Sequence, residues 1–339
     1  MKISESGKFA LIERLTSRFE AEQSASTKIS NDASIVNPTN DCVLVSSDML
    51  FEGIDFNLTY VPLKHLGFKV VTTGVSSLVA MNARPLGIRI NAGVSARFSV
   101  EDIELLFDGI NAGCIYYNIN LTGCDIKSSM TGMVIGVTTT GKADPKDTVF
   151  RNGAQINDLI CISGDLGSAY AGLLLLERER RIFETNFESK PQLEGYDYVL
   201  RRQLQPYAVT DMAAMFKECG IKPSSMIDIT DGLASELLHI CNDSNKGAVI
   251  FSKKIPIASE TVKVCNEMNL SAITAAVNGG DDYELLFTVP SSAFEKIKGL
   301  AGFEIIGYIT EPDKGVFLVT PEYRVVELKA QGWSGEKND

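Results

Sequence analysis

The chain has 339 residues, 45% of them hydrophobic, which is more than one core usually takes and predicts two folded domains. A formal net charge of -11 disfavours nucleic-acid phosphates and anionic membranes, so neither is expected as a partner. No run approaches the ~20 apolar residues that span a bilayer, and Met1-Lys2-Ile3-Ser4-Glu5 lacks a signal peptide's apolar middle, so a cytoplasmic protein is expected.

In chain order, residues 42–46 read as a buried strand. Between 62 and 83, apolar residues at 63, 66, 70, 71, 75, 78 and 81 recur as one helix face requires, and 86–94 returns as a strand. A helix over 100–114 and strands over 118–123 and 130–139 complete an N-terminal domain placed at 1–142. The polar stretch 141–147, interrupted by Pro145, is the expected linker into a C-terminal α/β domain at 148–339. There, a strand over 159–163 passes through Gly164-Asp165-Leu166-Gly167 into an apolar helix. A second, over 226–229, passes through Thr230-Asp231-Gly232 into a helix with Leu233, Leu237, Ile240 and Cys241 on one face. The Arg- and Glu-rich segment 177–195 reads as a solvated helix end and loop.

The seven cysteines contain no Cys-x-x-Cys pair and mostly have apolar neighbours, which predicts reduced core thiols. With only His65 and His239, a multi-histidine metal site is excluded and a Ser-His-Asp triad is disfavoured.

The chemistry is carried by acids that punctuate apolar runs. Three lie in Asn278-Gly279-Gly280-Asp281-Asp282-Tyr283-Glu284, and others are Asp32, Asp48, Asp125, Asp228 and Asp231. Any one is explained by a turn or a solvated face. Their recurrence suits hard cations, and an acidic protein that handles phosphates needs magnesium as intermediary. Neither a Gly-x-x-x-x-Gly-Lys-Ser/Thr loop nor a strand-to-helix Gly-x-Gly-x-x-Gly is present, so ATP would be held through carboxylates from several strand ends. Phosphoryl transfer asks chiefly for such positioning and charge neutralisation.

Seven segments in order carry a resemblance: Ile29-Ser30-Asn31-Asp32-Ala33-Ser34, Ser46-Ser47-Asp48, Phe51-Glu52-Gly53-Ile54-Asp55-Phe56, Ser76-Ser77-Leu78-Val79-Ala80-Met81-Asn82-Ala83, Thr122-Gly123-Cys124-Asp125, Asp228-Ile229-Thr230-Asp231-Gly232-Leu233 and Gly279-Gly280-Asp281-Asp282-Tyr283-Glu284-Leu285. Together they resemble the thiamine-monophosphate kinases, nearly end to end as far as Gly332-Trp333. The resemblance implies a two-domain α/β (α+β) fold of the aminoimidazole ribonucleotide synthetase-like superfamily. It also implies a homodimer paired through the N-terminal sheet, with ATP and thiamine monophosphate as substrates and several Mg2+ ions.

By position, it implies metal contacts at Asp32, Ser46, Ser47, Asp48, Asp125, Asp228 and Asp231. It implies nucleotide contacts at Cys124, Asp125, Arg151 and Thr230, and acceptor contacts at Asp55, Asp281 and Trp333. Plainer readings stand beside these: Asp231 as a helix cap, Arg151 paired with a surface acid, Trp333 closing a core. The chain departs from the family pattern at Asn31 and Ser77, where the family has aspartates, and at Asp55, where it has histidine. Those departures keep a weakened or non-catalytic binding homologue in view. Selenophosphate synthetase needs a reactive Cys near the N-terminus and the hydrogenase-maturation relative a C-terminal Cys; the first Cys here is Cys42 and the tail ends Gly335-Glu336-Lys337-Asn338-Asp339.

Overall fold

The computed structural model describes residues 32–37 and 42–330, so Asn31 and Trp333 lie outside the described residues. Ser34–Asn37 (β1), Cys42–Phe51 (β2), Arg84–Val94 (β3), Asn120–Ser128 (β4) and Val134–Ala143 (β5) form one sheet in the order β1-β2-β5-β3-β4. Leu63–Val79 (α1) lies on its inner face. Within this sheet, among the described residues, only β3 and β4 run parallel, and a parallel pair needs a crossover, here the helix Val100–Tyr117 (α2). Ser99 starts α2 by accepting from the Asp102 N–H while the Asp102 carboxylate accepts from the Ser99 N–H, a reciprocal cap of about 1 kcal/mol.

The second sheet is built from Leu159–Ser163 (β6), Ser225–Ile229 (β7), Gly247–Phe251 (β8), Glu284–Val289 (β9), Phe303–Thr310 (β10), Val316–Val319 (β11) and Val325–Glu327 (β12). Its order is β12-β11-β8-β10-β6-β9-β7. The helices Ser168–Thr185 (α3), Asp197–Leu204 (α4), Met212–Cys219 (α5), Leu233–Ser244 (α6), Ser259–Glu267 (α7) and Ala272–Asn278 (α8) accompany it.

One core joins the two sheets. It runs from Ile88 and Val137 of the first sheet, through Val71 and Val75 of α1, to Met226, Leu285 and Phe287 of the second. The Phe287 ring stands 5.2 Å from Phe216 and 5.6 Å from Phe303, both edge-on. Helix α1 is buried on almost every side, as a helix lodged between two layers must be. Its polar residues Lys69, Thr72, Ser76 and Ser77 are therefore buried too, and a buried polar group without a partner is costly.

Four expectations change. The strand over 42–46 extends to Phe51 and is buried on one face only: Cys42, Leu44, Ser46 and Leu50 point inward, while Val43, Met49 and Phe51 are exposed. That alternation is what an antiparallel sheet with one covered face shows. The helix predicted to reach 83 ends at Val79, and β3 begins at Arg84. The expected linker begins inside β5, because Gly141 still pairs with Leu44 and Pro85. The 177–195 charge run is not all solvated: Glu179 is buried and accepts from the Gln192 N–H at 2.8 Å, and Glu177 accepts from Tyr60 Oη at 2.8 Å.

Candidate active site

Two loops of the second sheet meet backbone to backbone. Strand β7 ends at Ile229, and Thr230-Asp231-Gly232 lead into α6. Gly232 has φ +109°, and a β-carbon there would lie 2.7 Å from Gly279 O; one on Gly280 would lie 2.3 Å from Thr230 O. Glycine alone permits both the backbone angle and the approach. The contact is sealed by Asp281 N donating to Thr230 O and Tyr283 N donating to Ile229 O, each at 2.9 Å. The start of α6 has no side-chain cap. Instead, Glu236 Oε1 accepts from the N–H groups of Thr230 at 3.0 Å and Asp231 at 2.7 Å, which fixes the turn that carries Asp228 to Asp231.

Around Asp228 the acids gather. Met226 N donates to Phe150 O at 3.0 Å, and this pairing sets Arg151 beside β7. Arg151 donates from Nε at 3.1 Å, and also from a terminal nitrogen, to Asp32 Oδ1. Asp228 is buried; that burial, with the negative charges of Asp32 and Asp48, pushes its carboxyl up to about 7 against the pull of Arg151. Burial likewise pushes Glu236 up to about 8, with Asp231 and Asp228 adding to the effect. Burial opposes the Arg151 charge, yet Asp32, Asp228 and Glu236 hold its pKa above the ordinary value. Ser46 Oγ donates to Asp48 Oδ2 at 3.1 Å. Two buried oxygens, Asp32 Oδ2 and Glu236 Oε2, have no hydrogen-bond partner.

The remaining candidates lie elsewhere. Across the first sheet Asp48, Val137, Ile90 and Cys124 form one row, and Met49, Gly136, Asn91 and Asp125 the next. Side chains alternate faces along a strand, so Asp125 faces away from Asp48. It is exposed and 3.6 Å from Lys127. Ser47 shares the outer face, its Oγ 2.8 Å from Thr138 Oγ1, and Cys124 is exposed on β4. Asp55 accepts from the Phe51 N–H at 2.6 Å and so closes a turn. Asp281 is 2.7 Å from Lys69 Nζ.

The single chain thus brings together Asp32, Ser46, Asp48, Arg151, Asp228, Thr230 and Asp231, with Asp281 on the adjoining loop. It does not add Ser47, Asp125 or Asp55 to them. Among the described residues, no three His, Cys, Asp or Glu side chains close up into a ready cation cage. The acid cluster is instead balanced by Arg151.

The charged residues that escaped the sequence reading include the buried Lys69 and Glu236 and the half-buried Arg202. The only sequence signals were a lysine inside the apolar run 66–71 and an acid four residues after Gly232 in an apolar helix.

The N-terminal sheet carries the first likeness: the family model described as AIR synthase related protein, N-terminal domain, matches residues 30–143. The thiamine-monophosphate kinase of Pyrococcus abyssi is 30% identical over 309 residues, covering 90% of this chain and 89% of its own. That of Aquifex aeolicus is 28% identical over 333 residues, covering 98% and 99%. The chain belongs to the thiamine-monophosphate kinase family. Its fold matches the solved structure of AaThiL complexed with AMPPCP and TMP, at TM-score 0.85 and 27% identity over 98% of each chain. None of the described helices is long and apolar enough to cross a membrane.

Proposed function

We propose that the chain transfers the γ-phosphoryl group of ATP to the phosphate of thiamine monophosphate, yielding thiamine diphosphate and ADP. An acceptor phosphate oxygen forms the new bond to the γ-phosphorus, and the bond from that phosphorus to the β–γ bridging oxygen breaks. No covalent phosphoenzyme is needed. The observation that carries this reading is the meeting of Asp32, Asp48 and Asp228 with Arg151 beside the loop bearing Asp281. The AaThiL structure, with AMPPCP and TMP bound, supports the same pair of ligands.

The cleft suits Mg2+: its donors are all oxygens, and two of them, Asp32 Oδ2 and Glu236 Oε2, are buried without partners. Asp32, Asp48, Asp228 and Glu236 would hold the ion, with Asp231 beside them. When bound, magnesium neutralises phosphate charge. Arg151 supplies a fixed guanidinium for the nucleotide phosphates, released from Asp32 as the phosphates arrive. Thr230 lines the nucleotide side and Asp281 the acceptor side, and holding two anions in line accounts for most of the rate in such reactions.

Pairing of two copies through the first sheet belongs to this reading. Its outer face exposes Val43, Met49 and Phe51, and β4 exposes Leu121 and Ile126. Ser47 and Asp125 share that outer face, so a dimer would enclose them. Light scattering of the purified protein would give twice the chain mass, and a monomer at micromolar concentration would remove this part.

Incubation with ATP and thiamine monophosphate tests the activity; absence of thiamine diphosphate at every magnesium concentration would refute it. A binding homologue without turnover is the second reading, motivated by Asn31 and by Ser77 on α1. Under it, calorimetry registers both ligands with no product, and restoring aspartate at the two positions raises magnesium affinity.

A further inference from the structure

Lys69 is a lysine on a helix buried on almost every side. Its side chain is 4% exposed, whereas that of its partner Asp281 is 35% exposed. The ammonium is therefore sealed under the carboxylate, and the carboxylate is the part of the pair that reaches solvent. The second Asp281 oxygen, Oδ1, accepts from Tyr283 Oη at 3.3 Å, and that phenol lies 3.0 Å from Thr73 Oγ1, one turn along α1 from Lys69. Asp281 has φ +62° and Tyr283 φ +54°. Residues with a β-carbon take up such angles only where the surroundings over-determine them.

The same segment is held from its other side. Between Asp281 and Tyr283, Asp282 turns away, accepts from the Gly167 N–H at 2.9 Å and lies 3.8 Å from Arg202. Glu284 follows it, 2.9 Å from Arg202. Odd residues meet α1 and even residues meet the second-half core, so the loop has no freedom to swing as a whole. What remains adjustable is the Asp281 side chain, and both of its oxygens are tied to α1, one directly by Lys69 and one through Tyr283 and Thr73.

We propose that Lys69 is a positioning residue of the acceptor site, orienting the Asp281 carboxylate toward thiamine monophosphate without itself touching it. This rests on the reading of Asp281 as an acceptor contact. It differs from a purely structural ion pair in what it moves: acceptor affinity falls, nucleotide affinity does not, and the effect vanishes once Asp281 can no longer act.

A double-mutant cycle read by calorimetry tests it, using thiamine monophosphate and, separately, a non-hydrolysable ATP analogue with magnesium. Lys69→Met should weaken acceptor binding about tenfold or more, the usual cost of losing a group that orients a ligating side chain. Nucleotide binding should stay within about twofold. Lys69→Arg should recover part of the loss, and in the Asp281→Asn background Lys69→Met should add nothing. If Lys69→Met does not fold, Thr73→Val keeps the ion pair and removes the hydroxyl shared by Tyr283 Oη and the Lys69 carbonyl, each at 3.0 Å; a smaller, acceptor-only weakening is then expected. Additive losses in the double variant, equal losses for nucleotide and acceptor, or unchanged acceptor binding in Lys69→Met or Thr73→Val would each overturn the proposal. A wild-type protein that binds nucleotide but no thiamine monophosphate would overturn the acceptor reading itself, and this proposal with it.

Discussion

Arg151 directs two of its nitrogens to one oxygen of Asp32 and leaves the other oxygen, Oδ2, buried without a partner. The pair joins residues 119 positions apart at the seam between the sheets. A charge pair that satisfies only half a buried carboxylate is poorly suited to a purely structural role, because an unpaired buried oxygen is costly. It suits a site in which cations and phosphates exchange places with the guanidinium.

Arg151→Gln follows from this. Hydrogen bonds to charged groups contribute about 1.5–3 kcal/mol, so the affinity for an ATP analogue should fall about tenfold to a hundredfold. Isothermal titration in the presence of magnesium measures it, and an unchanged affinity would remove Arg151 from the nucleotide site.

The raised carboxyls make a prediction about pH. Asp228 at about 7 and Glu236 at about 8 lie above the ordinary carboxylate values, so the folded chain holds more protons than the unfolded chain between pH ~4 and those values. Their contribution to stability is greatest at the acid end and is lost as pH rises through 7 to 8. With chelator present, stability should therefore fall between pH 6 and pH 8.5, by on the order of a few kcal/mol at most, and the melting temperature should fall with it. Asp228→Asn should flatten the slope. Magnesium should counter the fall, because cation binding draws on the deprotonated forms. A metal-free melting temperature that rose with pH over this range would contradict the assignment.

Gly232→Ala addresses the joint between the two loops. The substitution puts a β-carbon at φ +109° and 2.7 Å from Gly279 O, in a turn whose backbone bonds leave little room to shift. Thermal or denaturant unfolding should show a loss of about 2 kcal/mol or more. A near-neutral result would mean that the loops part easily, and the close approach would then not be what aligns Asp228 with Asp281.

Glu236→Gln separates scaffold from charge. The amide still accepts from the Thr230 and Asp231 N–H groups through its carbonyl, so the turn should persist and folding should be preserved. Magnesium affinity, followed by titration, should drop severalfold because a neutral oxygen ligates the ion less tightly than a carboxylate. An unchanged affinity would confine Glu236 to holding the turn.

Much of the element order was legible because periodicity survives where one face of an element is buried. The strand over 159–163 appears as Leu159–Ser163, and the apolar face of α6 was visible in Leu233, Leu237 and Ile240. Periodicity does not report which face of the first sheet is covered. Residues 42–45 are all apolar and read as fully buried, yet Val43 is exposed, because its face has no cover within one chain. The resemblance groups Asp48 with Asp125, whereas within one chain the strand register sends them to opposite faces. Lys69 and Glu236 were missed because a charge inside an apolar stretch gives no sign of its partner until the tertiary contact exists, and Arg202 because beside Arg201 in a polar helix it reads as one more solvated charge. Lys69 finds Asp281 across 212 positions, and Arg202 finds Glu284 across 82.

The most direct test of the whole account is phosphorus NMR of purified protein with ATP, thiamine monophosphate and a magnesium titration, for wild type and Asp228→Asn in parallel. The expected result is equal accumulation of ADP and thiamine diphosphate by the wild type, rising with magnesium, and at least a hundredfold slower reaction in the variant, since a misplaced or missing charge at the transferring group costs about that much. A folded wild-type protein that releases no thiamine diphosphate at any magnesium concentration, or an Asp228→Asn variant with full activity, would contradict it.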